Sequence, residues 1–470
     1  MIKIKRYSLV FRLLLFKSSL LFITSCSKVV INKENFIQEL KKEYNLFEPN
    51  NVIDINYTRV NYNAYQSYNY KNPDSLFIKS HVIINVNDSV YFASRIAKFP
   101  GVHKFSQQEF QKNNIGFIYD SLGVVLGKRV LRQNKASYNQ VKNEVYSILN
   151  FYYIQDLVTD KSVEVLGFKS TYNGFSVSIK NKINDTLIYS FIENPIELVS
   201  VENETSKELW NFLDFNKNYA SKIQYFKNGQ LKYDYKINSL YTKDKIADSY
   251  LSLPQGYEDT NIIENKELEL TKIGENIYLI TNVANDRNIV YQLNRNKITV
   301  FGAPISDKFS EEVFNLIKKK HLNAEINKVY ITHPHSDHIG GLKFYANKGV
   351  KIITDKYSAD AIKNYPKFIE HAHSFQFDYI KDESVIDDVK YYFPKNNHSK
   401  SQSFAYFINE NLIYQGDFIQ IPADNSIPKH VSETTISFVD FVRSKNLQID
   451  RIICHHRNNN LDLDILNTIK

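Results

Sequence analysis

A short cluster of histidines and one aspartate has the composition of a metal-binding site. Residues 332–341 read Thr-His-Pro-His-Ser-Asp-His-Ile-Gly-Gly, so His333, His335, Asp337 and His338 fall within one six-residue segment. Imidazole nitrogens and carboxylate oxygens are ligands suited to Zn²⁺, and three or more must converge to hold an ion tightly. The segment therefore predicts a metal centre.

The sequence around the cluster predicts the elements that position it. A short apolar, β-branched strand ends directly before the cluster, so His333 and His335 can project to one side of it at a spacing of two. The chain then turns, which lets residues 337–338 face a second ion beside the first. The glycines at 340–341 allow the backbone to pass close to the site, before a helix that we expect over 342–348 and that Gly349 ends.

The cluster and the sequence after it resemble the metallo-β-lactamase-fold hydrolases. In that family the next ligand is a histidine on a loop before a strand hairpin. An aspartate in a Gly-Asp pair then closes a strand, and a histidine follows an apolar strand near the C-terminus. The resemblance implies His398, Asp417 and His456 in these roles. His455 competes for the last one, but the family's usual Gly-His order favours His456.

The resemblance covers roughly residues 265–470 and implies an α/β fold, an αββα sandwich that holds two zinc ions. It implies one ion on His333, His335 and His398, a second on Asp337, His338 and His456, and Asp417 and a hydroxide bridging the two. The expected activity is attack by the metal-bound hydroxide on an ester, lactone, thioester or phosphoester, with Asp337 also guiding the proton.

The sequence lacks one aspartate that is common in the family, and it carries an aspartate at the bridging position. Residues 300–304 (Val-Phe-Gly-Ala-Pro) stand where many relatives have an aspartate that supports the ligands, so we expect the ligands to be oriented from elsewhere. True β-lactamases of this fold lack an aspartate at the bridging position, so Asp417 favours a general hydrolase. Cys454 is expected to be a buried strand residue and not a ligand.

Two other functions stay open at this point. Some relatives with the same ligands bind one iron and oxidise persulfides or related thiols, which makes a mononuclear iron dioxygenase the first alternative. The second is a non-catalytic envelope protein whose N-terminal domain binds a partner, although the filled ligand positions argue against decay of the site. His371 and His373 form a His-x-His pair without a following Asp-His, so we expect them on a surface loop near the site.

The N-terminus has the features of a lipoprotein signal peptide. Residues 1–25 combine a basic start with two apolar stretches interrupted by Lys17, too short and too charged for a membrane-spanning helix. Residues 23–26 (Ile-Thr-Ser-Cys) resemble the lipobox of bacterial lipoproteins, which implies a lipid anchor on Cys26. The expected location is the cell envelope, and the missing acidic cluster after Cys26 favours the periplasmic side.

The remaining sequence predicts a second domain before the metal-binding one. We expect a signal peptide over 1–25, an α+β, mainly antiparallel β domain over 26–254, a linker over 255–265 and the hydrolase domain over 266–470. Asn228-Gly229 between alternating segments predicts a tight hairpin, because this dipeptide readily adopts positive φ angles. Meandering strands behind a lipid anchor resemble the half-barrels of periplasmic lipoprotein carriers, a likeness of fold alone.

Composition and charge narrow the classes of partner. A hydrophobic content of 43% excludes a mainly disordered protein. The formal charge of +8 falls to +3 without residues 1–25, which hold five cations and no acid. So small a charge does not indicate nucleic-acid binding. We therefore expect a small-molecule substrate and a membrane contact through Cys26, with any protein partner of the N-terminal domain undetermined.

Overall fold

The computed structural model describes residues 35–43, 52–99, 103–133, 136–159, 164–193, 195–216, 219–257 and 267–469. The predicted signal peptide, Cys26 and most of the predicted linker lie outside the described residues. Within those ranges, no helix has the length and apolar character needed to cross a bilayer.

The first half of the described chain is dominated by strands. These are β1 (Val52–Tyr62), β2 (Ser75–Asn85), β3 (Val90–Lys98), β4 (Lys104–Lys112), β5 (Ile115–Tyr119), β6 (Val130–Gln133), β7 (Glu164–Thr171), β8 (Gly174–Lys180), β9 (Thr186–Ile192), β10 (Glu197–Asn203), β11 (Glu208–Asn216), β12 (Tyr219–Lys227) and β13 (Gln230–Lys243). The helices are α1 (Phe36–Glu43), α2 (Ala136–Ile148) and α3 (Asn150–Thr159), with 3₁₀ turns at Ala64–Gln66 and Asp248–Tyr250.

All thirteen strands form one open antiparallel sheet. Its order is β6-β5-β4-β3-β2-β1-β13-β12-β11-β10-β9-β8-β7, so two meanders join where β1 pairs with β13. The hairpin predicted at Asn228-Gly229 is confirmed, since both residues have positive φ, 51° and 71°, between β12 and β13. The three helices pack on one face of the sheet, where Phe36, Val145 and Ile154 join its apolar side chains.

The second half of the described chain alternates strands and helices. The strands are β14 (Glu269–Lys272), β15 (Ile277–Val283), β16 (Arg287–Asn294), β17 (Lys297–Phe301), β18 (Glu325–Tyr330), β19 (Lys351–Thr354), β20 (Phe377–Tyr379), β21 (Ser384–Ile386), β22 (Val389–Tyr392), β23 (Phe404–Phe407), β24 (Leu412–Gln415) and β25 (Arg451–Cys454). The helices are α4 (Asp307–Lys320), α5 (Ser336–Ile339), α6 (Leu342–Asn347), α7 (Lys356–Lys363), α8 (Glu433–Ser444) and α9 (Asp464–Thr468), and a 3₁₀ turn spans Ile369–Ser374.

These elements stack as helix, sheet, sheet and helix. Strands β14 to β20 form a seven-stranded sheet and β21 to β25 a five-stranded one. Phe301 and Tyr330 of the first sheet pack with Phe407 and Tyr414 of the second, which places an aromatic core between the sheets. Helices α4, α6 and α7 cover the outer face of the first sheet, and α8 and α9 cover that of the second. The fold therefore has the four layers of an αββα sandwich.

The loop between β1 and β2 docks into the sandwich. Tyr65 of this loop is buried within the apolar cluster beneath α4 and α7, and its hydroxyl donates to Ala361 O at 3.1 Å. Its ring lies 4.6 Å from that of Tyr365 and 5.6 Å from that of Tyr70. A buried aromatic contact between the two halves holds the N-terminal sheet against the site described next.

Candidate metal centre

Three histidines and an aspartate converge in a first group. His333 Nε2 lies 3.0 Å from His335 Nδ1 and 3.2 Å from His398 Nε2. Asp417 Oδ2 lies 3.2 Å from His398 Nε2 and 3.7 Å from His333 Nε2. All four side chains are buried. The space between the four ligand atoms is therefore about the size of one metal ion.

A second group shares Asp417 with the first. His338 Nε2 is 3.2 Å from His456 Nε2, and Asp337 Oδ2 is 3.8 Å from the former and 3.4 Å from the latter. Asp417 Oδ2 lies 3.3 Å from His338 Nε2, and its Oδ1 lies 3.2 Å from His456 Nε2. The structure therefore brings the seven residues selected from the sequence together, with Asp417 between the two groups.

The ends of neighbouring strands and one short helix bring these residues to one edge of the sandwich. The first two histidines follow β18, α5 carries Asp337 and His338, His398 precedes β23, Asp417 follows β24, and His456 follows β25. Gly416 makes the close approach of two strand ends possible, because a Cβ there would lie 2.4 Å from Thr332 Oγ1. Gly340 has the same role after α5, where a Cβ would lie 2.0 Å from Ile305 O.

The geometry of both groups fits zinc. Zn–N bonds of about 2.0–2.1 Å in a tetrahedron place ligand atoms roughly 3.4 Å apart, close to the spacings found in both groups. His335 Nε2 lies 3.1 Å from the Ser67 carbonyl oxygen and donates to it when the ring is neutral, which leaves a lone pair on Nδ1 directed at the centre of the first group. Asp417 Oδ1 is buried and lies 3.2 Å from His456 Nε2, yet it makes no hydrogen bond with a described residue, as expected of a ligand whose partner is a cation.

The protonation states also suit metal ligation, which requires neutral imidazoles and ionised carboxylates. Burial, together with the nearby His398, lowers the pKa of His335 to about 3, and burial lowers the pKa of His333 well below its ordinary value. Burial alone would raise the pKa of Asp417, but His456 and His338 hold it well below its usual range. His333 and His335 therefore present lone pairs, and Asp417 a carboxylate, at neutral pH.

The N-terminal sheet supplies contacts that orient these ligands. Besides the Ser67 carbonyl on His335, Gln66 donates from Nε2 to Asp337 Oδ1 at 2.8 Å. Thr332 Oγ1 lies 3.0 Å from His333 Nδ1. The aspartate that supports the ligands in many relatives is absent at 300–304, and the loop between β1 and β2 takes part of that role. No pattern in the sequence pointed to Gln66 or Ser67, because their role depends on how two distant segments pack.

The two candidates for the last ligand lie side by side but have different contacts. His456 Nε2 approaches both carboxylates, whereas His455 Nδ1 pairs with Tyr414 Oη at 2.8 Å between the sheets. The His455 ring lies 4.5 Å from that of His338, tilted by 39°. His338, His455 and His456 form one group of possible ligands, and His455 Nε2 is buried without a hydrogen-bond partner among the described residues. The contacts of His456 with Asp337 and Asp417 make it the better candidate for a centre that includes these carboxylates.

Two further predictions concern residues outside the ligand set. Cys454 is buried in β25 and burial raises the pKa of its thiol to about 12, so the prediction of a buried strand residue is confirmed. His371 and His373 lie in the 3₁₀ turn Ile369–Ser374 and belong to neither of the two groups found in the described part of the chain.

A cavity of about 650 Å³ opens onto the two groups. Asp337, His398, Asp417 and His456 form one end of it, where Arg287 lies 3.5 Å from Asp337 Oδ2. Most of the other lining residues belong to the N-terminal sheet and its loops. The ligand groups are therefore accessible from a space that both halves of the chain enclose.

Comparison with known proteins finds similarity to metallo-β-lactamases. Metallo-β-lactamase IND-1 of Chryseobacterium indologenes is 27% identical over 122 residues, 23% of this chain and 51% of the relative. A type 2 metallo-β-lactamase of Elizabethkingia meningoseptica is 24% identical over 166 residues, 33% of this chain and 64% of the relative. The chain thus spans about half to two thirds of the length of these relatives.

Solved structures of metallo-β-lactamases also align with the chain. DIM-1 aligns at 16% identity with a TM-score of 0.36, over 44% of this chain and 97% of its own. FIM-1 from Pseudomonas aeruginosa aligns at 14% identity with a TM-score of 0.35, over 43% of this chain and 93% of its own. No family model matches the chain. The chain is therefore similar in sequence to metallo-β-lactamases over 23% to 33% of its length.

Proposed function

We propose that this protein is a zinc-dependent hydrolase with two adjacent metal ions. The observation that carries the proposal is the convergence of seven candidate ligand side chains on two groups, with Asp417 in contact with both. Both groups are complete, and their spacings suit tetrahedral zinc. A pair of ions with a shared carboxylate is the arrangement of binuclear metallohydrolases.

The residues around the centre have separable tasks in hydrolysis. When bound, the zinc ions supply Lewis acidity, lower the pKa of water toward about 7 and give the site a net positive charge against its two carboxylates. Asp337, about one quarter exposed, faces the cavity and is placed to hold a proton and pass it to the leaving group. Burial alone would raise the pKa of Asp337, but His338 and His456 hold it well below its usual range, and Arg287 lies 3.5 Å from its Oδ2.

The proposed substrate contains an ester, lactone, thioester or phosphoester. Hydrolysis of each passes through an anionic transition state, which a positively charged site stabilises. The two curated relatives are named as metallo-β-lactamases, so a β-lactam amide is the natural comparison substrate. Asp417 at the bridging position supports the ester-type substrates over the β-lactam.

We also propose that the enzyme is held in the cell envelope by a lipid on Cys26, on the periplasmic side. The lipobox-like residues 23–26 support this proposal. Thioether-linked and amide-linked acyl chains together anchor a protein far more firmly than one chain alone. Metabolic labelling with a radioactive fatty acid tests it: the native chain should incorporate label, and a Cys26→Ser variant should not.

The hydrolase proposal is tested by metal content and turnover on one preparation. The full chain carrying Cys26→Ala, which avoids lipidation and detergent, is purified without added metal and analysed by mass spectrometry. It is then assayed on p-nitrophenyl acetate, a thioester, a lactone, bis(p-nitrophenyl) phosphate and a chromogenic β-lactam. We expect two zinc ions per chain and turnover of an ester-type substrate. Asp417→Ala should lose zinc and activity together, whereas Asp440→Ala, at an exposed position on α8, should lose neither.

Two results would overturn the proposal in different ways. One iron per chain with oxygen uptake in the presence of a persulfide would assign the site to the thiol dioxygenases. Two bound zinc ions with no turnover of any panel member would favour a non-catalytic envelope protein.

A further inference from the structure

The wall of the cavity opposite the metal ligands is built by the N-terminal sheet. Ile78 on β2, Ala97 on β3 and Phe105 on β4 are direct cross-strand neighbours, so their side chains form one row on one face. Ile118 on β5 and Leu131 on β6 form a second pair in register. All five line the cavity. An apolar surface that extends from β2 to β6 therefore faces the ligand groups.

Within the part of the chain that the structure describes, helices cover this face of the sheet only at its other end. There Ile55, Val82 and Ala93 are cross-strand neighbours, and they are buried against α2 and α3. Ala97 lies four residues further along the same strand and face, where it is only partly buried. The apolar row on the cavity side is thus an extension of the core face, and no helix among the described residues packs over it.

A neutral layer of paired charges separates these two regions. Arg59 and Arg95 each bind Glu144 of α2, at 3.0 Å and 2.8 Å, and Arg95 also binds Glu109. Two cations are balanced by two carboxylates, so the floor of the cavity carries no net charge. A charged group at the far end of a ligand would find no free counter-ion in this layer.

Aromatic rings connect the apolar wall to the metal ligands. Phe99 and Phe105 pack edge to face with ring centroids 5.2 Å apart, and His103 lies 6.3 Å from Phe105. His103 in turn packs edge to face on the ligand His398 at 4.8 Å. A ligand that reaches the metal ligands along this wall stays in contact with apolar surface throughout.

We propose that the N-terminal sheet is the specificity element of the enzyme and binds an apolar acyl group of the substrate. The acyl chain lies along the row Ile78, Ala97 and Phe105, and the scissile ester or thioester carbonyl lies at Asp417 and Asp337. Hydrolysis adds water across the acyl bond and yields a carboxylic acid and an alcohol or thiol. The volume of about 650 Å³ is in the range of pockets that hold drug-sized ligands, roughly 300–1,000 Å³. This inference rests on the proposed hydrolase function, whose substrate class it narrows.

Binding of product-like carboxylates tests the inference without turnover. Butyrate, hexanoate, octanoate and decanoate are titrated calorimetrically into the zinc-loaded Cys26→Ala chain. Burial of each methylene should tighten Kd by about fourfold until the cavity is full, with an increasingly negative heat capacity of binding. A Kd that does not change with chain length would overturn the inference.

Substitutions at positions that line the cavity, compared with one at a position that does not, test whether the acyl chain binds to this wall. Ala97→Leu reduces the cavity, so the tightening of Kd per methylene should stop at a shorter carboxylate. Leu131→Ala enlarges the cavity, so the tightening should continue to a longer carboxylate. Ile96→Leu is the matched control, because Ile96 is 42% exposed on the same strand and does not line the cavity. Identical chain-length profiles for native protein, Ala97→Leu and Leu131→Ala would contradict the inference.

Hydrolysis of p-nitrophenyl acetate separates this failure from failure of the proposed function, because a two-carbon acyl group has little apolar surface to bury against the wall. Zinc-dependent hydrolysis of the acetate with no chain-length effect would refute only the acyl site. A chain-length effect on binding with no hydrolysis of any ester would keep the acyl site and refute the hydrolase.

Discussion

The contact between Gln66 and Asp337 links the N-terminal sheet to the affinity of the second metal group. Gln66 Nε2 donates to Asp337 Oδ1 at 2.8 Å and to Ser336 Oγ at 3.0 Å. A hydrogen bond to a charged group contributes about 1.5–3 kcal/mol. Since about 1.4 kcal/mol corresponds to a factor of ten, Gln66→Ala should weaken binding of one zinc ion by about 10- to 100-fold.

The two ions should respond differently, which makes the assay specific. Asp337 belongs to the second group alone. Competition with a chromophoric chelator should therefore show one zinc ion bound with lower affinity and a second zinc ion whose affinity changes by less than about twofold. Asn69→Ala is the control, because Asn69 lies in the same loop but accepts from Tyr357 Oη at 3.1 Å and does not contact Asp337. Unchanged affinities for both zinc ions in Gln66→Ala would refute the reasoning. An equal loss of zinc affinity in Asn69→Ala would also refute it.

The remaining predictions concern ligand choice, backbone space and pH. His456→Ala should reduce the zinc content to about one ion, whereas His455→Ala should keep two ions and lower Tm through loss of the Tyr414 contact; the reverse pattern in metal analysis would assign His455 as the ligand. Gly416→Ala should lose most bound zinc, because its Cβ has no room beside Thr332, and full zinc content in this variant would contradict that. Burial would raise the pKa of Glu144, but Arg95 and Arg59 more than offset this and lower it, so its contribution to stability is present above pH 4.5 and is lost as the pH falls further. Glu144→Gln should therefore lower Tm at pH 6 and have a smaller effect at pH 3.5, and a difference in Tm that grows on acidification would contradict the sign.

The metal ligands could be predicted from the sequence because their spacing and order carry the chemistry. His333, His335, Asp337 and His338 lie in one segment, so local geometry alone brings them together. His398, Asp417 and His456 were inferred from their order along the chain and their positions next to apolar strands. The strands themselves were predictable from β-branched runs, and the hairpin at 228–229 from its turn residues.

The contribution of the N-terminal half could not be predicted. Gln66 and Ser67 act on the metal ligands only because Tyr65 anchors their loop in a core about 300 positions away in the chain. Apolar residues recur at helical spacing from Val141 to Tyr152, a pattern that does not show the break between α2 and α3 at Leu149. The row of cross-strand neighbours that lines the cavity depends on strand register, which alternation of side chains alone does not fix.

Zinc-edge anomalous diffraction from crystals of the zinc-loaded chain tests the central claim most directly. We expect two peaks about 3.5–4 Å apart, each within about 2.2 Å of its ligand atoms, one beside His333, His335 and His398 and one beside Asp337, His338 and His456. A single peak, or peaks that do not flank Asp417, would contradict a shared two-metal centre.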